Sequence, residues 1–136
     1  MISFNYETKF ELENEEEISI WISSVIKSEK FKEGDINYVF CDDDYLLKLN
    51  IEFLKHNTLT DIISFDNKIG KILYGDVFIS IERVKENAQA FKVSFKDELS
   101  RVMVHGILHY CGYADKTKQD AEIIRNKENF YINQLR

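Results

Sequence analysis

Proline is absent from this chain of 136 residues, and glycine occurs only 5 times. That scarcity excludes a collagen-like, linker-rich or low-complexity architecture. Cysteine is scarce too. Cys41 and Cys111 are the 2 in the chain, they lie far apart, and they form no C-x-x-C pair. A disulfide framework is therefore not expected, and a reducing cytoplasm is the expected compartment. No apolar run approaches the roughly 20 residues of a membrane span. The opening segment MISFNYETKFELENEEE lacks the basic and apolar regions of a secretory signal. Basic residues are outnumbered, 18 Lys and Arg against 24 Asp and Glu, for a net charge of −6. So acidic a chain carries no global electrostatic footprint for nucleic acid, and binding of that kind needs a local patch, a metal or a partner.

What is present is the composition of one soluble globular domain spanning 1–136, with 44% hydrophobic and 31% charged residues. A chain of this size buries about two-thirds of its unfolded surface, enough for a core without staples. Alternation and β-branched or aromatic content predict strands at 2–8, 36–40, 60–65 and 71–80, the last two joined by the turn 66–70. Gly34 reads as a chain break, and Gly75-Asp76 as a bulge or strand break. Asn14 with Glu17 resembles a capping box before Ile18, Trp21, Ile22, Val25 and Ile26 at helical spacing. Asp42, Asp43 and Asp44 read as the N-cap and acidic first turn of a helix over 45–53. Ser80, Ser94 and Thr117 can each cap a helix in the remainder. The expectation is an α/β (α+β) domain, a small mixed sheet of about four strands with about five helices packed on it.

The informative stretch is His105-Gly106-Ile107-Leu108-His109-Tyr110-Cys111-Gly112-Tyr113-Ala114-Asp115. On a helix, His105 and His109 point about 40° apart, one turn above the other. That is a two-histidine clamp for a transition metal. Gly112 stands where a helix often ends in a left-handed glycine, after which Asp115 can swing back to the same ion. Two imidazoles and one carboxylate leave a position open for water, as catalytic zinc sites require. Cys111 points about 160° away from His109 on the helix and reads as a core cysteine. Gly106, costly inside a helix, reads as a point of close backbone approach. The spacing also occurs in metzincin proteases, but those need a glutamate directly after the first histidine and a downstream Met-turn. Here the first place is Gly106, and both Met1 and Met103 precede Asp115.

The segment resembles the signature of the YbeY family of bacterial single-strand-specific endoribonucleases, H-G-x-L-H-x-x-G-Y-x-H. His105, Gly106, Leu108, His109, Gly112 and Tyr113 match it, and Asp115 stands where most members have the third metal-binding histidine. Leu49-Asn50, Thr60 to Phe65 and Gly75 to Ser80 also resemble the family, so the similarity runs from about Phe40 to Glu128. One departure concerns chemistry. Where the family places an arginine after L-N-x-x-[YF], this chain has Leu54, with Lys55 and His56 as neighbouring substitutes.

The resemblance implies metal-assisted cleavage of single-stranded RNA, in 16S rRNA 3′-end maturation and ribosome quality control. It also implies recruitment to the small ribosomal subunit or its assembly proteins, which relaxes the need for intrinsic RNA affinity. From the residues, His105, His109 and Asp115 are the expected ligands of one Zn²⁺ ion, with other divalent transition metals as alternatives. Spacing assigns no general base. His56 is a candidate acid, base, phosphate contact or replacement third ligand, and otherwise a loop residue. Lys55 is a candidate catalytic contact. Arg101 can steer phosphate or form a structural salt bridge. Asp61 can orient a ligating imidazole or, as preferred, cap a turn. Lys48, Arg83, Lys85 and Lys92 are candidates for a basic patch with Lys55 and Arg101. The readings left open are a non-catalytic ribosome-assembly factor with a structural metal and a zinc protease lacking its usual base.

Overall fold

Alternation along the strands places side chains on opposite faces of one sheet and so sets the layers. The computed structural model describes residues 1–135. Along the chain lie β1 (Ile2–Tyr6), α1 (Glu15–Ser28), β2 (Lys32–Cys41), α2 (Asp43–Leu54), β3 (Ile62–Asp66), β4 (Ile72–Ser80), α3 (Ile81–Phe91), α4 (Phe95–Tyr110) and α5 (Lys118–Leu135). The sheet order is β1-β2-β4-β3. The first three of these run parallel, and β3 is antiparallel to β4. This is the expected mixed α/β sheet with helices on it.

In β4, Leu73, Val77 and Ile79 face the main core with Ile36, Tyr38 and Phe40 of β2. Phe78 turns to the other face, where it joins Cys41, Leu46 and Ile63 beneath α2. The main core is built around α4, which packs against α1, α3, α5, β3 and β4. Ten of its residues are buried, from Glu98 to Tyr110. Two polar anchors fix its neighbours. The Tyr38 hydroxyl donates to the Met103 carbonyl at 2.9 Å, and the Trp21 indole N–H donates to the Tyr131 carbonyl at 2.9 Å.

Several caps form as expected. Asp42 accepts from the Tyr45 N–H, Ser80 from Arg83, Ser94 from Asp97, and Thr117 from Asp120. Three local expectations need correction. The Asn14 side chain caps nothing and donates instead to Glu17 Oε2 at 3.3 Å. Gly34 does not break the chain; it lies inside β2, at a register shift between Glu33 and Ile36. A Cβ there would meet the Leu73 carbonyl at 2.5 Å and the Tyr74 ring at 2.7 Å.

Gly75-Asp76 forms no break either, because β4 pairs continuously through both residues. A Cβ at Gly75 would lie 2.4 Å from both the Phe65 carbonyl oxygen and the Tyr110 hydroxyl. That hydroxyl donates to Phe65 O at 3.0 Å, locking the last turn of α4 onto the sheet. Gly75→Ala is therefore expected to destabilise the fold by about 2–3 kcal/mol through overpacking. Urea denaturation is the measurement, and an unchanged midpoint would contradict this packing.

Candidate metal centre

The C-terminus of α4 brings the two histidines together. Its final turn closes with a pair of capping bonds, Tyr113 N–H to Leu108 O at 3.1 Å and Gly112 N–H to His109 O at 3.0 Å. That Schellman arrangement needs a left-handed residue at its centre, and Gly112 supplies φ of 101°. The chain then reverses and carries Asp115 back over the helix end. Asp115 Oδ2 lies 3.4 Å from His109 Nε2 and 3.6 Å from His105 Nε2, while the two Nε2 atoms are 2.9 Å apart. One donor atom from each residue lies within 4.8 Å of the others.

These donors suit a transition ion. The edge of a tetrahedron with zinc–nitrogen arms of ~2.0–2.1 Å is about 3.3 Å, close to the spacings seen here. The tautomer fits as well. Glu128 Oε2 lies 2.6 Å from His105 Nδ1, so Nδ1–H is the donor and Nε2 carries the lone pair that faces His109 and Asp115. Arg101 in turn holds Glu128 Oε1 at 3.0 Å and Asn129 Oδ1 at 2.8 Å. Burial works to lower the His105 pKa. The bond to Glu128 and the negative charges of Glu128, Asp115 and Asp61 outweigh it and raise the value above the ordinary range.

The loop bearing Asp115 has its own anchor. The Tyr113 hydroxyl donates to Glu29 Oε1 at 2.7 Å, and Tyr131 and Lys127 bind Glu29 Oε2. Burial would raise the Glu29 pKa, but the bonds from Tyr131 and Tyr113 and the charge of Lys127 win, leaving it below the ordinary value. A carboxylate depressed in the folded state stabilises the protein above its unfolded pKa, and that contribution disappears as pH falls through the folded value. Glu29→Gln is thus expected to lower the melting temperature at neutral pH and to shrink the loss of stability on acidification below about pH 4.5. Parallel acid limbs for the two proteins would contradict it.

The residues singled out from sequence separate clearly. His105, His109 and Asp115 come together. His56 and Lys55 sit in the exposed segment that ends α2, where Lys55 is the left-handed cap and the His56 N–H donates to Asn50 O at 3.1 Å. Neither belongs to the three-donor group. Arg101 is in the salt bridge with Glu128. Arg83 is held by Asp43 at 2.9 Å and Glu86 at 2.7 Å, and of the basic residues proposed for a patch only Arg101 lines the cavity beside His105. Asp61 lies next to His105 in the cavity lining, and burial raises its pKa against the opposing pull of the His105 charge. Cys111 caps α4, packs on the core half-buried, and has its thiol pushed up to about 12 by burial.

Gly106 answers the protease comparison twice. It supplies no base, and the space beside it is filled by Ile62 and Val77, whose methyls lie 3.1 and 3.4 Å from where a Cβ would stand. The close approach expected at this glycine is therefore by side chains of β3 and β4. The sequence reading missed Glu128, the imidazole's partner. Its signal was a glutamate in register with Ile124, Tyr131 and Ile132 on the buried stripe of α5.

Comparison with known proteins agrees with this geometry. The family model of endoribonuclease YbeY matches residues 2–136. The endoribonuclease YbeY of Flavobacterium johnsoniae is 60% identical over 129 residues, covering 95% of this chain and 93% of the relative. That of Christiangramia forsetii is 52% identical over 127 residues, covering 93% and 89%. The solution structure of TM1509 from Thermotoga maritima superposes with a TM-score of 0.72 at 25% identity, over 99% of this chain and 89% of that one. With a family model spanning nearly its whole length and relatives this similar, the chain belongs to the endoribonuclease YbeY family.

Proposed function

We propose that this chain is a single-strand-specific metallo-endoribonuclease whose one zinc ion is held by His105, His109 and Asp115. The convergence of these three donors at the end of α4 is the observation that carries the reading. When bound, the ion supplies a Lewis acid for a phosphate oxygen and lowers the pKa of water.

The protein's own residues prepare that chemistry. Glu128 fixes the His105 ring and tautomer, Arg101 fixes Glu128, and Tyr113 with Glu29 holds the loop that presents Asp115. Asp115 is 47% exposed on its side chain, so the donor group faces solvent where substrate can arrive. Three donors and no fourth among the described residues leave a position for water or substrate. That supports an enzyme over a closed structural site in a non-catalytic assembly factor.

The relatives' name, endoribonuclease, supports RNA as substrate. We assign the finer role to 16S rRNA 3′-end maturation and ribosome quality control in the cytoplasm. Recruitment by the small subunit or its assembly proteins offsets the net charge of −6. No helix among the described residues is long and apolar enough to cross a membrane.

The test is cleavage of one sequence presented as single-stranded RNA, as an RNA duplex and as single-stranded DNA. Cutting of the RNA single strand alone is expected. Equal cutting of the duplex would remove the single-strand assignment, and His109-dependent cutting of a protein substrate instead would revive the protease reading.

A further inference from the structure

The cavity beside the metal centre holds a carboxylate that no neighbour uses. The cavity is about 320 Å³ in volume, opens at His105 and Asp115, and runs between α3, α4, α5 and the approach to β3. Ile62, Val102 and Ile124 give it apolar walls. Phe91, at the end of α3, lines it while remaining 59% exposed.

Most of its polar groups are committed. Glu128 takes bonds from His105 and Arg101. Glu98 differs. It is 4% exposed, it lines the cavity, and among the described residues no donor is hydrogen-bonded to its carboxylate. Asp61 and Glu128 on one side and Arg101 and Arg125 on the other act on it through charge alone. Among the described residues no buried side-chain oxygen lacks a partner, so the Glu98 oxygens reach the solvent of the cavity and stand open to a donor that enters it.

The volume lies at the small end of ligand sites, about 300–1,000 Å³, and suits a single flat heterocycle. Guanine alone among the RNA bases offers two adjacent N–H donors, at N1 and N2, matching the two oxygens of one carboxylate. On the pairing edges of adenine, cytosine and uracil, each N–H donor has an acceptor beside it that repels the second oxygen of a carboxylate.

We propose that this cavity is a guanine subsite. Glu98 accepts N1–H and N2–H of an unstacked guanine, Phe91 stacks on the base at the rim, and the nucleotide's phosphate is left at the metal centre. The proposal rests on the RNA-cleaving reading and extends it to base preference. In a duplex the same guanine edge is paired, so the subsite also adds a requirement for single strands.

The test titrates the zinc-loaded full chain with guanosine, adenosine, cytidine and uridine, followed by amide chemical shifts. These probes carry no phosphate, so binding is read independently of cleavage. Guanosine is expected to bind about tenfold more tightly than the others, the discrimination of one good bidentate pair. Glu98→Gln replaces one acceptor with a donor and is expected to erase that preference. Phe91→Ala, at an exposed position, should weaken guanosine several-fold and keeps the test decisive if the first variant does not fold. No guanosine binding, equal affinity for all four nucleosides, or guanosine binding unchanged in both variants would overturn the subsite. RNA cleavage without base preference would sink this inference alone. Guanosine selectivity in a protein that cuts no RNA would keep the subsite and sink the enzymatic reading.

Discussion

His109→Ala is expected to abolish zinc binding and, with it, cleavage of single-stranded RNA, while leaving the fold intact. The side chain is a third exposed, at 32%, so truncation opens no large core cavity. It removes one of only three donors, and the remaining His105–Asp115 pair, 3.6 Å apart, cannot enclose an ion. Loss of an outer-sphere partner of a zinc ligand typically costs 10- to 100-fold in affinity or activity, and loss of a ligand costs more. Glu128→Gln should fall in that lower range, because a glutamine still reaches His105 Nδ1 but no longer offers a charged acceptor. The ordering His109→Ala below Glu128→Gln below wild type, in both metal content and turnover, separates ligand from orienting group. Full metal occupancy in His109→Ala would remove the three-donor centre.

The second large effect falls on Asp115, the one carboxylate among the three donors. Asp115→Ala should weaken metal binding by more than about 100-fold, for the same reason as His109→Ala. Asp115→His should keep the metal, because an imidazole is an equally good zinc ligand. It should also shift the activity profile to lower pH, because the site loses a negative charge and the metal then acidifies its water more strongly. His56→Ala should leave occupancy intact, since His56 belongs to the segment after α2 and lies outside the three-donor group. Metal lost on changing His56 and retained in Asp115→Ala would reverse the assignment.

The features legible in the sequence are those whose cause is local. The helical spacing of His105 and His109, the reversal at Gly112 and the return of Asp115 lie within one stretch of chain, so periodicity and one glycine suffice to place them. The serine and aspartate caps are local for the same reason. Glu128 and Tyr113's partner Glu29 were not legible because they arrive from other elements, 23 and 84 residues away. A glutamate in a buried helical stripe is the trace such residues leave, and Glu98 and Glu128 both carry it. Gly34 and Gly75 were misread because their necessity is tertiary. What each avoids is a neighbouring strand, and for Gly75 the Tyr110 hydroxyl as well, and no local rule encodes either. The strand order β1-β2-β4-β3 is likewise a tertiary outcome that no strand's own pattern encodes.

The central claim is that His105, His109 and Asp115 form one metal centre on which RNA cleavage depends. Its most direct test is a titration of chelator-stripped protein with zinc, following bound metal and the rate of single-stranded RNA cleavage in the same samples. Activity should be absent in the stripped protein, rise in proportion to occupancy, and saturate at about one ion per chain, with His109→Ala flat throughout. Cleavage that persists in the stripped protein, or that fails to follow occupancy, would contradict the account.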